Sequence, residues 1–392
     1  MAGQVQTADL VVVGLGAMGA ATLYQAARMG VKAIGIDRFA PPHDKGSSHG
    51  ETRITRCAIG EGADYVPLAL GSHAIWRELE EETGESLLVQ SGCLILGSPD
   101  ETALHHGKPN FVNRTADSAR RFGIAHEILD AAGIRQRFPQ IKGLRDEIGC
   151  FEPGGGFLYP ERCIQAQLER AKALGARIYT GRTVTSLSES GETVTVETDA
   201  GTIQASRAVC AAGSWTGRLL GGEFQRLLRV NRQVLHWFAA DETVLAPGRF
   251  PTVIWMHGPE ASDYFYGFPA LPGSGSIKVA TEQYVETTDP DRVDRRVPAA
   301  EQISMFQDHL AGRLDGVQPR PVGSAVCLYT VTPDSGFIVD RDPVRDRIMV
   351  ISACSGHGFK HSAALGKAVA QQVVLGRSDI DLAPFSLARF AP

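Results

Sequence analysis

The sequence predicts a mixed α/β protein, α+β overall, in which a doubly wound nucleotide-binding domain carries an inserted, mostly antiparallel domain. Three observations support this. A strand, a glycine turn, a helix and a second strand follow one another between Asp9 and Asp37. Another strand, glycine turn and helix lie at 347–375. Residues 225–322, between these units, alternate polar and apolar side chains as antiparallel strands do.

The N-terminal unit contains the motif G-x-G-x-x-G. Its glycines are Gly14, Gly16 and Gly19, with Ala17 and Met18 inside the turn. The first glycine permits the tight turn, the second lets the backbone approach a pyrophosphate, and the third lets the helix pack on the strand. Free N–H groups and the positive end of the helix dipole then favour bound phosphates.

The helix predicted at 17–29 leads to a strand at 31–36 and then to Asp37 and Arg38. A carboxylate there accepts hydrogen bonds from a ribose with a free 2′-hydroxyl, which argues against NADP. The motif alone does not choose between NAD and FAD. The order of the later elements favours FAD. After the first unit the chain passes out of the predicted parallel sheet, forms an antiparallel sheet and then re-enters the parallel sheet. A long cofactor such as FAD fits between the two domains that this order produces.

The remaining elements follow from periodicity. Helices are predicted at 65–82, 116–122, 130–138, 160–174, 302–310 and 363–375. Strands are predicted at 87–96, 176–179, 183–187, 193–198, 202–205, 208–213, 234–238, 252–255, 264–268, 276–281 and 347–352, with 327–330 returning to the parallel core. The predicted nucleotide-binding domain comprises 1–85, 145–224 and 325–392, and the predicted substrate domain comprises 86–144 and 225–324.

Composition excludes several classes of protein. The 392 residues carry a formal charge of -5, which gives no reason to expect a nucleic acid or an anionic membrane as partner. The chain has no run of about 18 apolar residues, and residues 1–8 lack the features of a secretory signal. Seven scattered cysteines without a CxxC pair indicate reduced thiols, a cytoplasmic location and no metal site.

Several long motifs together resemble the monomeric sarcosine oxidase and N-methyltryptophan oxidase family of flavin amine oxidases. Besides the glycine turn, they are GSSHGETRITR at 46–56, GEGADYVPL at 60–68, YGFP at 266–269 followed by Lys278, CLYT at 327–330 and SGHGFK at 355–360. The resemblance covers nearly the whole chain. It implies a monomer with an FAD-binding domain of the glutathione-reductase type, and FAD linked through its 8α-methyl group to a cysteine sulfur.

The resemblance also implies roles for single residues. Cys327 matches the flavin-linking cysteine, and Arg56 and Lys360 match a pair that clamps the substrate carboxylate, as charged donors can. Lys278 matches a lysine that promotes the reaction of reduced flavin with oxygen. Without the resemblance, Lys278 could equally be an edge-strand charge. Arg56 and Arg53, three residues apart, could be a solvated basic pair or, if helical, share one face.

Other residues are implied at the cofactor or the substrate. Arg53 and His357 match residues beside the flavin, although a structural histidine is the alternative for His357. Tyr266 and Tyr329 match aromatic residues of the substrate cavity. The remaining predicted cofactor contacts are Ser47, Ser48, Val184, Ala212, Gly213, Trp215, Gly356, Gly358 and Lys360.

One position departs from the family pattern. Glu282 lies four residues after Lys278, where sarcosine oxidases resemble one another in carrying a histidine. The predicted activity is therefore oxidation by O2 of a secondary amino acid, sarcosine or a bulkier N-methyl amino acid, to an imine that hydrolyses, with release of hydrogen peroxide. An oxidase or dehydrogenase of a cyclic amino acid such as pipecolate or proline is the first alternative. A nicotinamide-binding or non-catalytic nucleotide-binding protein is the second.

Overall fold

The computed structural model describes residues 5–391. Its strands are β1 Gln6–Val13, β2 Ala33–Ile36, β3 Arg53–Thr55, β4 Leu88–Val89, β5 Cys93–Gly97, β6 Glu127–Leu129, β7 Ile148–Glu152, β8 Gly156–Leu158, β9 Arg177–Tyr179, β10 Val184–Ser190, β11 Thr193–Thr198, β12 Gly201–Cys210, β13 Arg229–Ala240, β14 Thr252–Met256, β15 Tyr264–Gly267, β16 Ser276–Ala280, β17 Val317–Val331, β18 Ile338–Arg341 and β19 Ile348–Ser352. Its α-helices are α1 Ala17–Arg28, α2 Val66–Thr83, α3 Phe111–Phe122, α4 Ala131–Arg137, α5 Pro160–Ala173, α6 Thr216–Leu220, α7 Gly222–Leu227, α8 Glu242–Leu245, α9 Ala299–Ser304 and α10 Ser362–Leu375.

A parallel sheet forms the nucleotide-binding part. Its parallel strands run in the order β9, β2, β1, β12 and β19, while β18 and the pair β10–β11 join antiparallel. Leu10 and Val12 of β1 pack against the helices on one face, and Val11 and Val13 pack on the opposite face. Burial on both faces explains why this strand reads as an unbroken apolar run.

A second sheet has the order β17-β13-β16-β15-β14-β5-β7-β6, and every neighbouring pair is antiparallel except β14 with β5. The prediction of a parallel domain with a mostly antiparallel partner is thus confirmed. The predicted return of 327–330 to the parallel core is wrong, because these residues lie in β17 and pair with β13. A run of apolar residues predicts a buried strand, but it does not identify the sheet to which the strand belongs.

The domain boundaries need the same adjustment. Strand β7, assigned to the nucleotide-binding domain by the boundary at 145, pairs with β5 and β6 in the antiparallel sheet. We therefore keep a two-domain division as a proposal, with β7 and β17 moved to the substrate side. A small third sheet, β3-β8-β4, holds Arg53. Since β3 is a strand, the helical arrangement considered for Arg53 and Arg56 is wrong.

Three other elements differ from their predicted bounds. Helix α3 begins at Phe111 rather than 116, and the strands predicted at 202–205 and 208–213 form the single strand β12. The helix predicted at 302–310 is α9 followed by a π-helical turn, Met305–Leu310. Among residues 5–391, no helix has the length and apolar character needed to cross a membrane.

Candidate active site

A large cavity of about 430 Å³ lies beside the glycine turn after β1. Most of the predicted cofactor contacts line it, namely Gly14, Gly16, Ala17, Met18, Asp37, Arg38, Ser47, Ser48, Arg53, Val184, Ala212, Gly213, Trp215, Gly356 and Gly358. We call it the cofactor cavity. Gly19, Cys327, His357 and Lys360 were predicted with this set but are not part of its lining.

The glycine turn has the shape that a bound pyrophosphate requires. Gly14 has a φ of +85°, and a Cβ there would meet Ala211 O at 2.5 Å. A Cβ on Gly19 would meet Gly14 O at 1.7 Å, so this glycine allows α1 to pack against the turn. A Cβ on Gly16 would meet no protein atom nearer than Ser48 Oγ at 3.8 Å. The space that Gly16 leaves therefore opens to the cavity, where a phosphate can approach the backbone.

Asp37 holds the turn and still faces the cavity. One carboxylate oxygen accepts the N–H of Leu15 at 2.7 Å, and the other accepts the N–H of Phe39 at 2.7 Å. A carboxylate has about four lone-pair sites, so acceptor capacity remains for ribose hydroxyl groups. The anionic charge suits a hydroxyl and repels a phosphate, which fits FAD.

A connection at 289–296 crosses the cofactor cavity and was not predicted to belong to it. Its Asp291 lines the cavity and accepts from Arg38 at 2.6 Å, from Trp215 Nε1 at 2.9 Å and from Arg218 at 2.6 Å. This segment reads only as a polar loop in the sequence. Its partners come from distant parts of the chain, so no local signal identifies it.

A smaller cavity of about 70 Å³ adjoins the first, and we call it the catalytic cavity. Arg53, Tyr329, Gly356 and Phe359 line both cavities, so the two meet at these residues. The catalytic cavity also contains four predicted site residues from three separate segments of the chain, namely Arg56, Tyr266, and the pair His357 and Lys360.

Arg56 and Lys360 lie on either side of a third charged residue, Glu61. Arg56 donates to Glu61 Oε2 at 2.7 Å, and Lys360 Nζ donates to Glu61 Oε1 at 3.2 Å. All three side chains are almost fully buried. The two cations hold the pKa of Glu61 well below its usual range, although burial opposes them. Glu61 was missed as a site residue, although it stands in the motif at 60–68.

The trio keeps a capacity to bind an anion, because it carries two positive charges against one negative charge. Burial lowers the pKa of Lys360 to about 8, which leaves the ammonium charged at neutral pH. Arg56 Nε is buried without a hydrogen-bond partner. A bound carboxylate can supply that partner, and leaving such a donor unsatisfied is costly.

The predicted oxygen-activating lysine is buried. Lys278 Nζ donates to Gly50 O at 2.6 Å and to Thr52 O, and it lies 4.2 Å from the centre of the Phe268 ring. Burial and the nearby Arg53 lower the pKa of Lys278 well below its usual range. The two carbonyl groups and the ring face oppose this shift, because they stabilise the protonated form. The edge-strand alternative is wrong, since β16 lies inside the sheet.

One face of the antiparallel sheet collects the other predicted groups. Cys327 and Tyr329 are two residues apart on β17 and point the same way. The register pairs Trp237 with Lys278 and Tyr266 with Ala280, which places these side chains on that face too. The alternation within each strand was visible in the sequence, but the register between strands was not.

Cys327 is buried and lines neither cavity. Burial raises the pKa of its thiol to about 11, while Arg53 lowers it. It belongs to an apolar cluster with Leu235 and Ala280, and Cys354 packs against that cluster. Cys354 is half-buried and lines the cofactor cavity. The structure thus brings two thiols to the same end of the cofactor cavity.

The imidazole ring of His357 packs against aromatic rings, and its backbone carbonyl accepts a hydrogen bond from Lys360 Nζ at 2.9 Å. It stacks on Phe337 at 4.8 Å, and its Nε2 lies 3.0 Å from Ser335 O, while Nδ1 has no partner. Burial lowers its pKa to about 4. His357 is therefore neutral at physiological pH, lines the catalytic cavity and does not itself supply charge.

Three tyrosine hydroxyl groups surround Glu282, which lines the catalytic cavity next to Tyr329 and Gly356. Tyr264, Tyr284 and Tyr329 all donate to its carboxylate, the last two at 2.6 and 3.0 Å. The nearest histidine, His106, has its Nε2 4.0 Å from Glu282 Oε2. Tyr264, Tyr284 and His106 were not among the predicted site residues, because neither a motif nor their spacing marks them.

The comparisons with known proteins agree with this geometry. The family described as FAD dependent oxidoreductase matches residues 9–372. The chain is 34% identical to monomeric sarcosine oxidase from Bacillus sp. over 385 residues, which covers 98% of this chain and 97% of that protein. It is 35% identical to N-methyl-L-tryptophan oxidase from Escherichia coli over 386 residues, 97% and 99% of the two chains.

Solved structures show the same fold. NikD, described as an unusual amino acid oxidase essential for nikkomycin biosynthesis, matches with a TM-score of 0.81 and 25% identity over 97% of this chain and 98% of the other. Glycine oxidase from Geobacillus kaustophilus matches with a TM-score of 0.78 and 22% identity, over 99% and 100% of the chains.

Fold, cofactor cavity and matches together define an FAD-dependent oxidoreductase that acts as an amine oxidase. Within that class, the chain belongs to the family of monomeric sarcosine oxidase and N-methyltryptophan oxidase. The predicted enzyme class, the family and FAD as the cofactor are therefore confirmed, whereas covalent attachment through Cys327 stays a prediction. The nicotinamide and non-catalytic alternatives are wrong.

Proposed function

We propose that the enzyme, acting as a monomer, oxidises a secondary amino acid, such as sarcosine or another N-methyl amino acid, with O2 as electron acceptor. One observation carries this proposal. The catalytic cavity holds a cationic Arg56 and Lys360 and opens onto the cofactor cavity at Gly356 and Tyr329. A substrate carboxylate bound by the two cations therefore has its amine end directed toward that junction.

The residues position the substrate, and FAD when bound supplies the two-electron acceptor. Arg56 and Lys360 bind the carboxylate through charge-assisted hydrogen bonds. Tyr266 and Tyr329 form the walls of the cavity and exclude water. Removal of a hydride equivalent from a C–H bond next to the nitrogen, together with loss of the N–H proton, gives an imine. Hydrolysis of the imine of an N-methyl substrate gives formaldehyde and the primary amino acid, and O2 leaves as hydrogen peroxide.

Two further roles belong to this proposal. Cys327 is the thiol that links FAD covalently, supported by its CLYT motif and by the location of its side chain beside Tyr329 on the sheet face that carries Lys278. Lys278 stabilises the anion that forms when O2 takes an electron, supported by its burial beside Arg53, which lines both cavities. In a poorly hydrated site a fixed positive charge acts strongly.

A cyclic amino acid such as pipecolate or proline is the second candidate. The small volume of the catalytic cavity, about 70 Å³, favours compact substrates over an N-methyl amino acid with a large aromatic side chain. This small volume argues against the bulkier N-methyl substrates that Glu282 had suggested. It does not distinguish sarcosine from a substrate with a five- or six-membered ring.

An aerobic peroxide screen over N-methyl and cyclic amino acids tests the proposal. We expect peroxide with at least one secondary amino acid, and formaldehyde in equal amount if it carries an N-methyl group. Peroxide without formaldehyde from a cyclic substrate would establish the second candidate. Anaerobic bleaching of the flavin without peroxide in air would identify a dehydrogenase and contradict the oxidase.

A further inference from the structure

The carboxylate of Glu282 has a free acceptor site that faces the junction of the two cavities. Its side chain is 6% exposed. Oε2 accepts hydrogen bonds from Tyr264 and Tyr284, whereas Oε1 accepts one, from Tyr329. Since a carboxylate has about four lone-pair sites, three are filled and the fourth lies on Oε1.

Oε1 is also the oxygen that points toward the cofactor. A Cβ built on Gly356 would meet Glu282 Oε1 at 2.9 Å and Tyr284 Oη at 2.7 Å. Gly356 lines both cavities and has a φ of +83°. The absence of a side chain at Gly356 therefore leaves Oε1 open beside the junction of the two cavities.

A metal ion is a less suitable ligand for the Glu282 carboxylate than a hydrogen-bond donor is. Among the described residues, His105, His106 and Glu282 place one potential ligand atom each within 4.8 Å of the others. Oε2 is the carboxylate oxygen 4.0 Å from His106 Nε2, and two tyrosine hydroxyl groups already occupy it. An ion there would have to displace both, whereas a donor at Oε1 displaces nothing.

We propose, on the basis of the proposed function, that Glu282 binds the ammonium group of the substrate through Oε1 and accepts the proton that the amine loses before oxidation. The cavity then holds a zwitterion, with the carboxylate on Arg56 and Lys360 and the ammonium on Glu282. A buried cation needs such a partner, because an unpaired charge in a cavity of low dielectric is costly.

The proton transfer leaves the charge of the cavity unchanged. The N–H bond breaks, an O–H bond forms on Oε1, and the nitrogen keeps the electron pair, so that an ion pair becomes a neutral amine and a carboxylic acid. Burial raises the pKa of Glu282, and the tyrosine hydroxyl groups and Lys360 oppose that shift. The neighbouring His105 and His106 have pKa values well below their usual range, so they compete little for the proton.

Isosteric probes test the binding step without turnover. Sarcosine and butanoate have the same chain length and a carboxylate, but only sarcosine carries an ammonium group. Calorimetric titration of the anaerobic, dithionite-reduced holoenzyme measures both, because reduced enzyme cannot oxidise sarcosine. We expect wild type to bind sarcosine about tenfold more tightly than butanoate or better, as a charged hydrogen bond gives.

The Glu282→Gln variant should lose this preference and bind butanoate at least as well as wild type. Glu286→Gln, which changes an exposed carboxylate in the same segment, should keep it. Equal affinity of both probes in wild type, absence of binding by sarcosine, or a preference that persists in Glu282→Gln would overturn the proposal. The comparison of sarcosine with butanoate in the wild-type enzyme requires no variant. It therefore tests the binding proposal even if Glu282→Gln does not fold.

The pH dependence of anaerobic flavin reduction tests the proton step, with the substrate found in the peroxide screen. Glu282→Gln should be slowed most at low pH, where the substrate arrives protonated, and least at high pH, where free amine is abundant. A constant ratio of wild-type to variant rate would refute proton acceptance. Failure of the peroxide screen would refute the proposed oxidase alone, since the sarcosine–butanoate preference of reduced enzyme requires no oxidation.

Discussion

The two cavities are assembled in different ways. The cofactor cavity takes much of its lining from short continuous segments, 13–18, 36–43 and 211–215, around one βαβ unit. The catalytic cavity takes its charged groups from far apart, since Lys360 meets Glu61 across 299 positions. We propose that backbone N–H groups and glycines bind the cofactor in one cavity, whereas buried charges bind the substrate in the other. Errors of sequence interpretation are therefore expected in the second cavity. Glu61 was missed there, and Glu282 was noted only as a departure from the family pattern, with no role assigned to it.

The largest expected effect concerns the thiol of Cys327, which is buried in the antiparallel sheet and lines neither cavity. Cys327→Ser should abolish covalent attachment of FAD completely, because the bond needs a sulfur atom. Cys354→Ser is the matched control, since Cys354 packs near the same cluster and lines the cofactor cavity. Intact-protein mass spectrometry measures the flavin mass on each chain. Loss of that mass in Cys354→Ser but not in Cys327→Ser would reverse the assignment.

A variant of Lys278, which lines neither cavity, tests whether a buried charge near Arg53 assists the oxygen reaction. Lys278→Met should slow reoxidation of reduced flavin by about a hundredfold or more, as loss of one preorganised charge-stabilising group does. Anaerobic reduction should change much less, because it forms no superoxide. Since burial lowers the lysine pKa, reoxidation by wild type should fall as pH rises through that pKa, and Lys278→Met should lack this decline. Stopped-flow absorbance measures the rates of both half-reactions. Slowed flavin reduction with unchanged reoxidation would contradict a role of Lys278 in the oxygen reaction.

A glycine substitution tests how tightly the turn beside the cofactor cavity is packed, because it adds one methyl group and changes no charge. Gly19→Ala puts a Cβ 1.7 Å from Gly14 O, so α1 must move. Overpacking of this kind costs about 1–3 kcal/mol of unfolding free energy, and the displaced turn should also weaken FAD binding. Gly16→Ala meets nothing nearer than 3.8 Å and should cost less stability. Denaturant unfolding of both variants measures this, and equal stability would show that the turn is not the tight contact described.

Substitution of Arg56, one of the two residues proposed to bind the substrate carboxylate, should have a smaller effect than the substitutions above. Arg56→Met removes one charge-assisted hydrogen bond, which is worth about 1.5–3 kcal/mol, so KM for an amino-acid substrate should rise about tenfold or more. Steady-state kinetics with the substrate from the peroxide screen measures this. An unchanged KM would mean that Lys360 alone, or another group, holds the carboxylate.

The smallest expected effect is a pH dependence of carboxylate binding by the same two residues. The pKa of Lys360 is lowered to about 8, so its charge is present below that pH and is lost above it. Binding of butanoate, which has no titrating amine, should therefore weaken as pH rises past about 8. Lys360→Met should bind butanoate more weakly and without this pH change. A flat profile in wild type would show that Lys360 stays charged or does not contact the ligand.

The amino-acid sequence was sufficient to predict the class of protein and most of the lining of the cofactor cavity. The turn of Gly14, Gly16 and Gly19 and the acid Asp37 act through backbone geometry within one βαβ unit, and such geometry is local. Two-residue alternation likewise predicted an antiparallel sheet. Only the resemblance to a family led to Arg56 and Lys360 of the catalytic cavity and to the buried Lys278.

Tertiary structure alone decided how these groups meet. The register of β17 against β13 put Cys327 and Tyr329 in the antiparallel sheet, against the prediction of a parallel core. Folding also brought Glu61 between two cations and three tyrosine hydroxyl groups around Glu282. The physical reason is that the energy of a buried charge depends on partners within a few ångströms in space, and distance along the chain does not specify them.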